Sequence, residues 1–211
     1  MKRWDGTKFQ RVTLKSLGLR IQLGHWHGPP TDRTCPLPLT APNDDFVIID
    51  NSGVHPVHLD YCGCGLGGHP TVQLLRARLW AATTTNPRTA STFSVLRRYH
   101  LLSFEAKCAA LEFYQSLARA TDNLHYKKEK VRSSSARDPT HLTRSQDRYH
   151  EFLRMTRQWR HVQMLKRAGR GHDPTGIAGT KVGECALLCP ACPQPGMNLP
   201  PDWAEAPDDK Q

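Results

Sequence analysis

No apolar run in this 211-residue chain is long enough to cross a bilayer, so no membrane-spanning helix is indicated. Behind the Met1-Lys-Arg pair comes Trp4-Asp-Gly6 rather than an apolar stretch, and no secretory leader is expected. Aromatic residues make up 8 % and hydrophobic residues 38 %, which is lean for a self-sufficient core. A metal staple or a partner segment is therefore expected to supplement it. Gly63 to Gly68 is glycine-rich but lacks the Lys-Ser/Thr of a phosphate-cradling loop. The stretch Gly183 to Cys185 holds no Gly-x-Ser-x-Gly elbow. Asp44-Asp45 and Asp208-Asp209 are paired carboxylates in loop-like surroundings and read as solvated. No catalytic constellation stands out, and an enzyme is not expected.

Positive charge is abundant. The formal net charge is +10, which favours polyanionic partners. It is unevenly spread: residues 1–122 carry 14 Lys/Arg against 9 Asp/Glu, residues 123–170 carry 13 against 4, and residues 171–211 carry 2 against 6. A basic middle segment is thus followed by an acidic tail. Sixteen prolines and fifteen glycines predict many loops. Seven cysteines, an odd number with no export signal, argue against a disulfide framework and for a reducing compartment.

Apolar alternation at Leu17, Leu19, Ile21 and Leu23 predicts a strand. Gly24 to Pro42, with five prolines, is a loop. Phe46-Val-Ile-Ile-Asp50 and Val54 to Cys62 read as two strands joined at Asn51-Ser-Gly53, a hairpin. Residues 71–80 and 88–100 suggest short helices, with Ala81 to Pro87 a loop. An amphipathic helix is expected over Ser103–Thr121, with Ser103 as N-cap and Phe104, Cys108, Leu111, Tyr114 and Leu117 on one face. After a polar linker near residues 123–146, a second helix should run from about Ser145 to Ala168. Its apolar face would hold Tyr149, Phe152, Met155 or Thr156, Trp159, Val162 and Leu165, with Gly169 as its stop. The fold class expected is α+β: a small, loop-rich, zinc-binding β unit, two amphipathic helices and an irregular C-terminal tail.

His25, Cys35, His55, His58, Cys62 and Cys64 fall within about forty residues, and their side chains are those that bind zinc. Cys62-Gly-Cys64 is a close pair whose thiolates would face one side if the strand continued through it. Cys35 and one histidine would complete a Cys3His site, or two histidines and two cysteines a Cys2His2 site. Strand parity favours His58, because positions 58, 60, 62 and 64 share a face, and sets His55 on the other. Buried free thiols and surface histidines are the plainer alternative. Cys185, Cys189 and Cys192 form a second candidate group, in which Cys189-Pro-Ala-Cys192 is half of a knuckle. Cys108 reads as a core cysteine. The candidate nucleic-acid contacts are Arg157, Arg160, Lys166, Arg167 and Arg170, cations suited to phosphates rather than to base edges.

Taken together these motifs resemble a known family. They comprise Trp4-Asp-Gly, Leu14-Lys-Ser-Leu-Gly-Leu-Arg-Ile-Gln-Leu-Gly-His25, Cys35-Pro, Asp45-Phe-Val-Ile-Ile-Asp50 and His55-Pro-Val-His-Leu-Asp-Tyr-Cys-Gly-Cys64. Gln73-Leu-Leu-Arg76, Lys166-Arg-Ala-Gly-Arg-Gly-His-Asp173 and Cys189-Pro-Ala-Cys-Pro193 extend the likeness. The pattern is similar to the CxC-type cysteine-cluster domain associated with Kyakuja-Dileera-Zisupton (KDZ) transposases of fungi. The resemblance implies Zn2+ held by His25, Cys35, His55, Cys62 and Cys64, and so selects His55 where parity selects His58. It implies a nuclear, non-catalytic module that binds DNA or docks a transposase catalytic domain, with a purely protein-binding module as the alternative. It also implies a cysteine-cluster domain over residues 1–100, a helical segment over 101–170, and from 171 to 211 the start of a transposase domain truncated before its acidic catalytic residues.

Overall fold

Four consecutive apolar residues can sit in one strand only if both faces of its sheet are covered. The structure, a computed structural model describing residues 2–24, 35–65, 67–121, 148–187, 189 and 191–205, meets that condition at Phe46–Ile49. By compactness the chain divides into residues 1–160 and 161–211.

In the first unit, β1 (Lys2–Trp4) and β2 (Phe9–Arg11) make a separate antiparallel pair. The main sheet uses β3 (Arg20–Gln22), β4 (Pro38–Thr40), β5 (Phe46–Asp50), β6 (Gly53–Cys62), β7 (Leu79–Ala81) and β8 (Thr89–Thr92). Its order is β3-β6-β5-β8-β7, with β4 also paired to β6. The pairs β3–β6 and β5–β8 are parallel, and the others are antiparallel. Among the described residues the α-helices are α1 (Pro70–Arg76), α2 (Phe93–Glu105), α3 (Ala110–Thr121) and α4 (Tyr149–Arg167). A mixed sheet with four helices is α+β, as the sequence indicates.

Side-chain alternation along β5 divides the core in two. Val47 and Ile49 join Val95, Leu96 and Tyr99 of α2, Phe113, Tyr114 and Leu117 of α3, and Phe152 and Met155 of α4. Phe46 and Ile48 join Val57, Leu59 and Tyr61 of β6, Leu74 of α1, and Leu23. The β5–β6 hairpin expected at Asn51–Gly53 is present, with Phe46 opposite Val57 and Ile49 opposite Val54.

Four expectations change. The loop expected over Gly24 to Pro42 holds strand β4 at Pro38–Thr40. Residues 71–80 are helix only to Arg76, where Arg78 at φ +58° turns the chain into β7. Residues 88–100 begin as β8, and Thr92 then caps α2 by accepting from the Val95 N–H at 3.3 Å. Short apolar runs carry too few periods to separate helix from strand. Ser103 is not an N-cap: it lies inside α2, and its hydroxyl donates to the His100 carbonyl at 2.7 Å. A continuous helix would put Tyr99 and Phe113 about 21 Å apart. Their rings are 5.1 Å apart, so the chain reverses between Ala106 and Ala109, with Lys107 at φ +53°. Phe104 and Leu111 of the expected apolar face are in consequence exposed.

The second helix expected is α4, starting at Tyr149. In the second unit its end is closed by the Gly169 N–H on the Lys166 carbonyl and the Arg170 N–H on the Leu165 carbonyl, a Schellman pair. Beyond it the described residues form turns and two short 3-10 segments, Ile177–Gly179 and Trp203–Glu205, in keeping with an irregular tail. Among the described residues no helix is long and apolar enough to cross a membrane.

Candidate metal centre

Strand pairing brings the three thiols of Cys35, Cys62 and Cys64 together. Pro38 of β4 lies opposite Cys62, the last residue of β6, and the Gly63 N–H donates to the Leu37 carbonyl at 2.9 Å. That register carries Cys35, just before β4, onto the end of β6. The sulfurs are 2.7 Å apart for Cys62–Cys64, 3.3 Å for Cys35–Cys62 and 3.9 Å for Cys35–Cys64. All three lie within 4.8 Å of one another, and among the described residues no other group of three or more His, Cys, Asp or Glu does so.

The surroundings are built for sulfur. Cys35 and Cys62 are buried, and Cys64 is half-buried. Gln73 of α1 clamps the strand end: its Oε1 accepts from the Cys62 N–H at 2.8 Å, and its Nε2 donates to the carbonyls of Cys62 at 3.0 Å and Gly68 at 2.9 Å. Two glycines let backbone press against Cys62. A Cβ on Gly24, already at φ +87°, would stand 2.2 Å from the Cys62 Cβ, and one on Gly67 would stand 2.9 Å from its sulfur. Burial opposes ionisation of Cys35, yet hydrogen bonds from the Leu37 N–H, the Cys62 thiol and the N–H groups of Cys64 and Gly63 bring its pKa to about 6. Burial, with the neighbouring thiols of Cys64 and Cys35, pushes Cys62 up to about 11.

Such a trio fits a thiophilic ion. A tetrahedral centre with metal–sulfur bonds of about 2.3 Å needs sulfurs roughly 3.8 Å apart; Cys35 and Cys64 already stand at 3.9 Å, and Cys62 would have to draw away from both. Cys35, Cys62 and Cys64 can hold a metal ion.

Residues 14–125 match the family described as CxC2 like cysteine cluster associated with KDZ transposases, and that span is more than half of the chain. The chain belongs to this CxC2 family. No curated protein and no solved structure matches it.

The matched CxC2 region contains the three cysteines and all of β6. CxC2 is a cysteine-cluster domain associated with transposases, not a catalytic domain. Of the ligands the resemblance selects, His25 lies outside the described residues. His55 is not brought to the thiols: seven residues of strand separate it from Cys62 by about 23 Å. It also shares its face with Val57, Leu59 and Tyr61, whereas His58, Asp60 and Cys62 share the other. Parity is therefore kept through Pro56, but it does not deliver His58 to the thiols either. His58 Nδ1 sits 2.8 Å from Asp44 Oδ1, and Lys15 Nζ lies 3.0 Å from Asp44 Oδ2.

His55 has a neighbourhood of its own. Its Nε2 is 3.0 Å from the Ser52 hydroxyl, which donates to Asp50 Oδ2 at 2.8 Å. The carboxylate thus takes the serine proton and does not orient the imidazole, so this is a turn lock and not a hydrolytic triad.

Cys185, Cys189 and Cys192 do not gather. Cys189 and Cys192 are exposed on one turn, where the Cys192 N–H donates to the Cys189 carbonyl at 3.2 Å. A hydrogen bond from Cys192, then N–H groups of the same turn, lower the Cys189 thiol below its usual value. Cys185 is half-buried and joins no triad with them. The basic residues also divide. Arg160 lies over the Tyr99 and Phe104 rings, at 5.4 and 6.0 Å, and donates to Ser103. Arg170 pairs with Asp173 at 2.9 Å and Glu184 at 3.1 Å. Arg157, Lys166 and Arg167 are exposed. Gln73, named in the sequence only as part of the Gln73-Leu-Leu-Arg76 likeness, gains its place at the site from the structure.

Proposed function

We propose that this CxC2 domain is a zinc-stapled, non-catalytic DNA-binding module that works in the nucleus beside a KDZ transposase. The convergence of three thiols at the end of β6 carries the reading. Zinc is the ion favoured by such a set in a reducing compartment, being redox-inert and content with a closed tetrahedral shell. His25 is the fourth ligand we assign, because it follows Gly24, whose backbone lies against Cys62. The CxC2 match gives this site its context beside a transposase. The net charge of +10 and the exposed Arg157, Lys166 and Arg167 support sequence-independent contacts to the phosphates of duplex DNA.

The test is metal content and salt dependence on the same preparation. Purified protein should carry one zinc per chain, and Cys62→Ser should carry none. Duplex affinity should fall linearly with log salt concentration, and Lys166→Ala with Arg167→Ala should reduce that slope by about 2. Metal-free protein, or DNA binding indifferent to salt, would sink the proposal. Exposed Leu101 and Phe104 favour a second reading, a protein-docking module with purely structural zinc. A transposase complex that survives nuclease, in a protein that binds no DNA, selects it.

A further inference from the structure

The hairpin of β1 and β2 stands outside both core clusters and ladders with no other strand. Its turn is nonetheless tightly specified. Asp5 Oδ1 accepts from the Thr7 N–H at 2.8 Å, the Thr7 hydroxyl at 2.9 Å and the Lys8 N–H at 2.8 Å. Gln10 Nε2 donates to Asp5 Oδ2 at 2.6 Å, and the Asp5 N–H donates to the Lys8 carbonyl at 3.1 Å. This lock fixes the register in which Trp4 lies opposite Phe9.

The two rings stand 5.0 Å apart, tilted by 60°, and are 54 % and 67 % exposed. An isolated two-stranded hairpin is marginal in water, so displaying its only two aromatic side chains to solvent gains little for folding. The first eleven residues hold Lys2, Arg3, Lys8 and Arg11 against a single acid, Asp5, whose oxygens are spent on its own turn. Arg3 and Lys8 are exposed. Aromatics held side by side in a fixed register among cations bind bases by stacking and phosphates by charge.

We propose that Trp4 and Phe9 form a stacking platform for an unpaired nucleic-acid strand, with Arg3 and Lys8 contacting its phosphates. A single strand offers base faces to the rings, whereas a duplex keeps them stacked inside. The inference rests on the nucleic-acid reading above but names a different surface and a different strand state.

The experiment compares the full zinc-loaded chain with Trp4→Ala, Phe9→Ala and Trp4→Tyr, using a short fluorescent homopyrimidine strand and a duplex of equal length. Each alanine should weaken single-strand binding by about 5- to 150-fold, since base–aromatic stacking is typically worth about 1–3 kcal/mol. Trp4→Tyr should keep most of the affinity, and duplex binding should stay within twofold. Thermal melting should not move, because neither ring is in the core; Lys8→Glu offers a variant that spares both rings and should also weaken single-strand binding. Single-strand affinity unchanged in both alanine variants overturns the proposal, as does Trp4-dependent binding to anionic vesicles without strand binding. Duplex binding lost while Trp4-dependent strand binding persists overturns only the duplex reading.

Discussion

Gln73 holds the thiol cluster in place through backbone bonds alone. It is 1 % exposed and spends its side-chain amide on the backbone of Cys62 and Gly68. Gln73→Ala should leave a buried N–H and a buried carbonyl unpaired and cost about 2–4 kcal/mol, read as a lower denaturant midpoint. The same variant should bind zinc more weakly in a chelator competition, because the end of β6 loses its clamp. In the sequence Gln73 opens a motif of the family likeness, but as one polar residue among apolar ones it carries no sign of its role at the thiols. The cysteines are legible because their chemistry is rare and their spacing tight. His55 and His58 mislead, since identity says what can ligate while strand rise and facing decide what can reach. His55 shows the limit: it is the right residue type, placed seven strand residues too far away.

At the scale of elements, β5, β6 and α4 are legible because each carries enough residues to show its period or its burial. The α2–α3 break is not, because no proline or glycine lies between Glu105 and Ala110 and the reversal is dictated by ring packing over α4. Phe152 is fully buried against Tyr99 at 5.5 Å and Phe113 at 5.9 Å. Phe152→Ala should cost about 3–5 kcal/mol, and because Ile49 belongs to the same cluster the sheet should unfold with the helices in one transition. Fluorescence and far-ultraviolet dichroism giving separate midpoints would contradict that. The β5–β6 turn adds a pH dependence. Burial works against ionised Asp50, yet bonds from the Ser52 hydroxyl and N–H and from Thr92 hold its pKa below the usual carboxylate value. A depressed carboxylate stabilises above its unfolded pKa and loses that contribution as pH falls through the folded value. Asp50→Asn should therefore be less stable than the parent at neutral pH and converge on it below about pH 4.

For the whole molecule, the pairing order of the sheet was out of reach of sequence patterns, because β5 meets β8 across some forty intervening residues that include β6, α1 and β7. Charge distribution and family likeness were within reach. What would join them is the zinc proposed above, and its removal tests the joint. An ion bound only by the folded state stabilises it by about 2.7 kcal/mol at a concentration one hundred times Kd. In a domain of this size that amounts to roughly 5–10 °C of melting temperature, lost on adding chelator and regained with zinc. Acid should do the same by a separate route. Cys62, pushed up to about 11, keeps its proton at neutral pH until a metal displaces it. Affinity should then rise at least about tenfold per pH unit between pH 6 and 8. Cys35, brought to about 6, begins to compete for a proton only below that pH, so the slope should steepen there. Titration calorimetry in buffers of different ionisation enthalpy counts the protons released, and a zinc affinity flat from pH 6 to 8 would mean that Cys62 is not a ligand.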